Sequence, residues 1–353
     1  MTYEEARALF PQLERVVYLN TGSAGPLAAP VVAAMRAEED RGVVEGRGSL
    51  VSFKRTLGLR DRLRARIGEL VGVDPLLVSL TASTTDGCNI VLAGLDVGPG
   101  DEIVTTDAEH FGLIGPLHAS GARVVVQPPD PEAILAAVGP RTKLIAVSHV
   151  LWTTGALLPV ADLRTRSGVP VLADGAQSVG AIPVTAAGVD FYTVSGQKWL
   201  CGPDSTGALV VAEPERLRIA RPSYLSQASY ELDGSFEPRP GAARFDPGWL
   251  GAPQLVGLLA AIELRPDWAF ERAAALAGRC RELLDGVVET LPGDATLVAF
   301  RPPAGETAGA VVDRLAKAGV VIRELPKREL LRASIGWWTT DADLGRLADE
   351  LRR

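Results

Sequence analysis

The sequence predicts an α/β protein with a large domain and a smaller C-terminal α+β domain, the large one built on a mostly parallel sheet covered by helices. Three observations carry this prediction. Between Val78 and Val211, short apolar runs alternate with helical segments, the pattern of strands buried on both faces and joined by helical crossovers. After Arg221 the alternation gives way to an irregular stretch rich in Ser, Pro and Gly, Pro222–Pro247, and then to long helices with few strands. The chain has 353 residues, enough for more than one core. The expected division is an N-terminal arm over 1–17, a large domain over 18–250 and a small domain over 251–353.

Thr2–Phe10 reads as a short helix, with Thr2 and Glu5 spaced as a capping box. Apolar Val16–Leu19 leads into Asn20-Thr21-Gly22-Ser23-Ala24-Gly25-Pro26, where small residues either let backbone approach a ligand closely or simply turn the chain. Pro30–Glu39 is a helix with proline near its start. Gly42–Ser52 reads as loop, and Arg60–Val71 as an amphipathic helix ending at Gly72. Strands are expected at Val78–Thr81, Glu102–Thr106, Arg123–Gln127, Lys143–Ser148, Val169–Ala173, Val189–Val194 and Gly207–Val211, which makes a seven-stranded sheet. Between them lie helices through Leu95, from about Gly112, over Pro131–Val138 and over Val160–Arg166. The small domain is expected to hold helices at Ala252–Leu264, Asp267–Leu291, Thr307–Ala318 and Asp341–Arg353. Its strands are expected at Thr296–Phe300, Val320–Leu325 and Leu331–Ile335.

Hydrophobic residues make up 47% of the chain and charged residues 22%, the balance of an ordinary globular protein. The net charge of -7 comes without a basic stripe, which argues against nucleic acid as a partner. No window approaches the ~18–20 apolar residues of a membrane span. Met1–Asn20 is acidic and amphipathic and lacks the apolar core of a signal peptide. Cys88, Cys201 and Cys280 are too far apart for a CxxC site, and so low a count suits a reducing cytoplasm. Only His110, His118 and His149 are present, so no His-rich metal site is expected.

Four polar groups stand at the ends of predicted strands. Ser83-Thr84-Thr85-Asp86 opens a helix, where free N–H groups and the helix dipole suit a phosphate; an ordinary N-cap reads equally well from this stretch alone. His110 follows the strand ending at Thr106. Asp174 ends a buried strand, with Gln177 three residues on, and a buried aspartate needs a cationic or hydrogen-bonding partner. Ser195-Gly196-Gln197-Lys198-Trp199 follows the run Val189–Val194. A lysine there either snorkels to solvent or is desolvated, with a lowered pKa, for Schiff-base chemistry. A phosphate cradle, a ring partner, a partner for a pyridinium N–H and a Schiff-base lysine together match the needs of pyridoxal 5′-phosphate.

The chain resembles the fold-type I pyridoxal-phosphate enzymes of the class V aminotransferase group, to which cysteine desulfurases belong. Within that group it is most similar to the L-cysteine/cystine C–S lyases. The likeness runs from Tyr18-Leu19-Asn20 to the last helix. It is carried by Thr85-Asp86-Gly87-Cys88-Asn89-Ile90-Val91-Leu92, by Gly100-Asp101-Glu102-Ile103 leading to Glu109-His110, and by Ser148-His149-Val150-Leu151-Trp152-Thr153-Thr154-Gly155. Asp174-Gly175-Ala176-Gln177-Ser178, Gln197-Lys198-Trp199 and Leu331-Arg332-Ala333-Ser334 complete it.

The resemblance implies a role for each position. Thr84, Thr85, Ser195 and Gln197 would hold the phosphate, and His110 would stack on the ring. Asp174 would pair with the ring nitrogen, Gln177 would bond the ring oxygen, and Lys198 would carry the cofactor and act as the base. Arg332 would grip the substrate α-carboxylate. Arg323 would hold a second carboxylate, unless it is simply a surface arginine on an edge strand. A homodimer in the cytoplasm acting on a small amino acid is also implied, by β-elimination to pyruvate, ammonia and sulfide or persulfide. Transamination or epimerisation of another amino acid, and sulfur delivery to a partner, are the rival activities.

Three departures from the group's pattern matter. Gln197 stands where most relatives have histidine; Trp152, where desulfurases usually carry asparagine, is instead what narrows the likeness within the group. Arg244-Phe245-Asp246-Pro247-Gly248-Trp249 lacks the threonine with which such a segment reaches the partner subunit's phosphate. Leu325-Pro326-Lys327-Arg328-Glu329, before Arg332, has no cysteine, although desulfurases place their sulfur acceptor there.

Overall fold

The computed structural model of the protein describes residues 1–353. The chain opens with α1 (Tyr3–Ala8), which starts with the expected capping box of Thr2 and Glu5, and a two-residue strand β1 (Val17–Tyr18). Helices α2 (Ala29–Glu45) and α3 (Leu50–Val71) follow. The segment read as loop, Gly42–Ser52, is therefore helical on both sides of a short break. Gly42 is tolerated inside α2, and the helix stops only at Gly46, whose φ is 74°, a conformation that glycine adopts without strain. Ser49 then caps α3 by accepting from the Ser52 N–H.

The sheet region runs β2 (Val78–Thr81), α4 (Thr84–Leu95), β3 (Glu102–Thr106), α5 (Phe111–Ala119), β4 (Arg123–Gln127), α6 (Pro131–Ala136), β5 (Thr142–Ser148), α7 (Val160–Ser167), β6 (Val171–Asp174), β7 (Phe191–Ser195) and β8 (Gly207–Val211). These strands form one seven-stranded sheet in the order β2-β8-β7-β6-β5-β3-β4. Every pairing is parallel except the two made by β8, so β2 to β7 all point the same way. Their carboxyl ends share one edge, where α/β sheets gather active groups.

The strands are buried on both faces, and alternation divides their side chains between two cores. Ile145, Val147, Val171, Ala173, Tyr192 and Val194 pack with Leu59, Leu63 and Ile67 of α3. Leu144, Ala146, Leu172 and Phe191 pack on the other face with Cys88 and Val91 of α4 and Leu113 and Leu117 of α5. The continuous apolar runs of the sequence are thus two interleaved faces.

After β8, the stretch Pro222–Pro247, read as irregular, contains a small hairpin of β9 (Gln227–Tyr230) and β10 (Phe236–Pro238) and a 3-10 turn at Gly241–Phe245. Helix α8 (Ala252–Glu263) packs on α2 and α3. Helix α9 ends at Leu284 rather than Leu291 (Ala269–Leu284), because Asp285 turns extended at φ −60°, ψ 132°. The remaining elements are β11 (Leu297–Phe300), α10 (Ala308–Lys317), β12 (Val320–Val321), β13 (Arg323–Leu325), β14 (Leu330–Ser334) and α11 (Asp341–Arg352). The single strand expected over Val320–Leu325 is two. Its first part pairs in parallel with β1, and its second pairs antiparallel with β14.

A separate apolar core joins α9, α10, α11, β11 and β14 with Val17 and Leu19, so the segment around β1 is stitched into the C-terminal layer. On β14, Leu331 and Ala333 enter this core. Alternation turns Arg332 and Ser334 to the opposite face. No helix is long and apolar enough to cross a membrane.

One buried charge cluster pins the segment after β10. Asp246, 0% exposed, takes hydrogen bonds from Arg60 Nη2 at 2.7 Å, Ser79 Oγ at 3.0 Å and the Leu80 N–H at 3.0 Å, and pairs as well with Arg64 Nη2. Two guanidinium groups from α3 therefore close on a single carboxylate.

Candidate active site

The carboxyl edge of the sheet forms a cleft lined by Thr84, His110, Ser148, Val150, Trp152, Asp174, Ala176, Gln177 and Lys198. Five of the ten residues singled out from the sequence meet there: Thr84, His110, Asp174, Gln177 and Lys198. Thr85 and Gln197 are chain neighbours of Thr84 and Lys198, and Ser195 ends β7 three residues before Lys198. Arg332 reaches the cleft from the C-terminal layer, where its Nη1 donates to the Trp152 carbonyl at 2.8 Å. Arg323 lies directly opposite Arg332 in the β13–β14 register.

The start of α4 is open to an anion. Ser83 caps the helix by accepting from the Asp86 N–H at 3.1 Å, and the Gly87 N–H bonds the Ser83 carbonyl. The N–H groups of Thr84 and Thr85, in the first turn, have no intrahelical acceptor and point along the positive end of the dipole. The Thr85 hydroxyl sits beside the start of α5, since a Cβ on Gly112 would lie 2.7 Å from it. Across the cleft, the Ser195 hydroxyl donates to Gln197 Oε1 at 2.8 Å. That bond commits the amide oxygen and leaves both Nε2 hydrogens of Gln197 available to an acceptor. Ser195 therefore orients Gln197, and its own proton is already committed.

His110 is the N-cap of α5 and accepts the Gly112 N–H on Nδ1 at 3.0 Å, which leaves Nε2 as the protonated nitrogen of a neutral ring. Burial lowers its pKa, and the charge of Lys198 lowers it further, so the ring is neutral and suited to stacking. Asp174, 4% exposed, accepts the Ala176 N–H at 2.9 Å and the Thr193 hydroxyl at 3.0 Å, both on Oδ1. Oδ2 remains open to a further donor. Gln177 accepts from Trp199 Nε1 at 2.9 Å and donates Nε2 to the Gly22 carbonyl at 2.9 Å, which leaves one amide hydrogen.

Lys198 sits on a turn pressed from behind by the loop Asn20–Gly25. The Gly25 N–H bonds the Gln197 carbonyl at 2.7 Å, and a Cβ on Gly25 would meet the Lys198 carbonyl at 2.1 Å. A Cβ on Gly22 would lie 2.7 Å from Arg332 Nη2. The small residues of this loop thus serve close approach, as the sequence suggested, but to the protein's own Lys198 turn and to Arg332. Burial pulls the Lys198 ammonium down to about 8, with Arg332 and Arg323 reinforcing the shift and Asp174 opposing it. An amine near that value is available as nucleophile and base.

Arg332 is 0% exposed, and its Nε and Nη2 have no partner. Burial and the neighbouring Arg323 charge both press against its cation. A buried guanidinium with two idle donors is the mark of a site awaiting an anion. Arg323 donates to Ser23 Oγ at 2.8 Å, which turns its guanidinium toward the Asn20–Gly25 loop.

Sequence reasoning missed Glu109. Its carboxyl, 8% exposed, accepts from Thr106 Oγ1 at 2.7 Å and from the Ser148 N–H at 3.0 Å, and also bonds the Ser148 hydroxyl. It ties the His110 loop to the end of β5, and burial raises its pKa to about 7. It stands in a stretch that carries the family likeness, directly before His110, but no role was attached to it there.

The family model for class V aminotransferases matches residues 17–314. The chain belongs to the class V aminotransferase family. Its similarity to curated relatives includes isopenicillin N epimerase of Streptomyces clavuligerus, 31% identical across 99% of this chain and 97% of that one. Among solved structures it is similar to the cystine C–S lyase C-DES in complex with its reaction product cysteine persulfide, with a TM-score of 0.90 and 28% identity over 97% of this chain and 99% of that one. A C-DES mutant with glycine covalently linked to the PLP cofactor superposes with a TM-score of 0.92 at 28% identity, over 98% of each chain.

The class V aminotransferase family is pyridoxal-phosphate-dependent, and this member is a fold-type I enzyme. The cleft fits the cofactor on its own terms. Free N–H donors at α4 and on Gln197 suit the phosphate, the open Asp174 oxygen suits a ring N–H, and the lysine amine of lowered pKa suits the aldehyde.

Proposed function

We propose that this class V aminotransferase-family protein is a pyridoxal 5′-phosphate-dependent lyase that breaks the C–S bond of cystine, cysteine or a related sulfur amino acid. The observation that carries the reading is an amino-acid site without a reachable thiol. Cys88, Cys201 and Cys280 are 0%, 6% and 1% exposed, and burial raises the pKa of each, so none is poised as a thiolate. The hairpin turn before Arg332 holds Lys327, Arg328 and Glu329, none of which accepts sulfur. Sulfur therefore departs with the leaving group and is not handed to the protein.

When bound, the cofactor supplies an aldehyde for the substrate amine and a ring that takes up the electrons released at Cα. Thr84, Thr85 and Gln197, with Ser195 behind it, would hold the phosphate. Asp174 would keep the ring nitrogen protonated, His110 would stack on the ring, and the remaining amide hydrogen of Gln177 would bond the ring oxygen. Arg332 clamps the α-carboxylate as a planar fork, and Arg323 takes the distal carboxylate of a substrate such as cystine. Lys198 removes the Cα proton. The Cβ–S bond then breaks with its electron pair leaving on sulfur, as a thiolate or persulfide. The three-carbon remainder takes up water to give pyruvate and ammonia.

The exposed apolar side chains support a homodimer. Val43, Val44, Leu50, Val51 and Trp249 are all more than half exposed, and Val43 and Trp249 line one groove between α2, α3 and the start of α8. Such a patch marks an association surface. Three unpaired cysteines suit a reducing cytoplasm.

A second reading, amino-acid epimerisation, draws on the likeness to isopenicillin N epimerase. It would return a proton to Cα and leave the side chain intact. The experiment that separates the two is incubation of the reconstituted protein with L-cystine and L-cysteine, with assays for pyruvate, sulfide and the D-isomers. Pyruvate in step with released sulfur is the expected result. D-isomer formation without pyruvate would establish the epimerase, and alanine with protein-bound persulfide a desulfurase.

A further inference from the structure

Trp152 carries an indole N–H that is buried without a partner in the wall of the cleft it shares with Lys198, Asp174 and His110. Buried donors are almost always satisfied, and an unmet one is costly. Trp338 also has an unpartnered indole N–H, but it lies in an apolar cluster with Phe10 and Trp337, away from the cleft. Two further contacts distinguish Trp152. Its carbonyl accepts from Arg332 Nη1 at 2.8 Å, so it holds the guanidinium whose Nε and Nη2 are also unmet. The His110 ring meets its indole edge-on, with centroids 5.1 Å apart at 85°, which fixes the indole plane.

We propose that the Trp152 indole N–H is a second donor to the substrate α-carboxylate, beside the Arg332 guanidinium, and so a specificity-determining group for α-amino acids. The proposal rests on the reading of the cleft as an amino-acid site. The three idle donors, Trp152 Nε1 and Arg332 Nε and Nη2, belong to two residues in direct contact, and a carboxylate with four lone-pair sites can take all of them. The N–H adds a neutral donor to the arginine's charge. Amines without a carboxylate gain nothing from either.

The test uses the reconstituted protein and its Trp152→Phe variant, which keeps an aromatic ring against His110 and removes the N–H together with the pyrrole part of the indole, so that methylamine reports the packing cost alone. Glycine, which has no leaving group, and methylamine, which has no carboxylate, are titrated against the cofactor's visible absorption. In the variant, glycine is expected to bind about 10- to 100-fold more weakly, the loss typical of a hydrogen bond to a charged group, with methylamine unchanged. Equal weakening of both ligands would assign Trp152 to packing alone and overturn the proposal, as would unchanged glycine binding. If the native protein responds to methylamine but not to glycine, or to neither, the amino-acid reading itself fails and the proposal with it. A variant that folds poorly would bind both ligands less well, so the ratio of the two binding constants is the deciding quantity.

Discussion

Replacing Lys198 with alanine is expected to lower turnover of L-cystine by about 10²- to 10⁴-fold, the usual loss for a positioned acid–base group, while the fold survives. Lys198 is the side chain placed both to carry the cofactor and to take the Cα proton, and its amine is held near 8 by burial. The neighbouring groups do not substitute for it. His110 accepts the Gly112 N–H on Nδ1, so the one basic nitrogen of its neutral ring is already engaged. Steady-state pyruvate release measures the effect, with unfolding of native and variant proteins compared in parallel. Retention of more than a tenth of native activity would remove Lys198 from the centre of the mechanism.

The second large effect is on stability. Asp246→Asn is expected to destabilise the protein by about 3–5 kcal/mol, the usual loss when one partner of a buried ion pair is removed. Two arginines depend on this carboxylate. Arg60 is 1% exposed with its Nη1 already unpartnered, and Arg64 is 7% exposed. The same carboxylate satisfies Ser79 and Leu80 at the start of β2, so the change loosens α3, β2 and the segment leading to Trp249 together. Arg64 also pairs with Asp61, whose side chain is 73% exposed. Asp61→Asn is therefore the matched control, and a small effect is expected for so exposed a pair. Urea unfolding at equal protein concentrations measures both, which matters if the native protein is a dimer.

The sheet was legible because each strand is a short apolar run and each intervening helix begins with turn chemistry. The candidate site was legible because its residues stand at the ends of those runs. Asp174, His110 and Lys198 could be placed on one edge from strand direction alone. The misreadings have particular causes. Gly42, Gly46 and Gly48 made the junction of α2 and α3 look like one long loop, whereas only Gly46 ends a helix. Val320–Leu325 looked continuous because its split depends on pairing with Val17–Tyr18, some three hundred residues earlier in the chain.

Burial of charge was the least visible feature. Nothing local marks Arg60 and Arg64 as partners of Asp246, separated from them by 186 and 182 residues. Nothing marks Glu109 as a buried carboxyl between Thr106 and Ser148 either. Trp152 was visible only as part of the stretch that narrows the family likeness, at a place where desulfurases usually carry asparagine. Its meaning came from the unmatched N–H and from the bond between its carbonyl and Arg332.

The role of Lys198 is tested most directly by reducing the yellow, reconstituted protein with borohydride, digesting it and locating the added mass. One cofactor fixed per chain, on Lys198, is the expected result. Cofactor on Lys54, Lys143, Lys317 or Lys327, or a protein that releases all of it after reduction, would contradict Lys198 as the Schiff-base residue and with it the mechanism built on that amine.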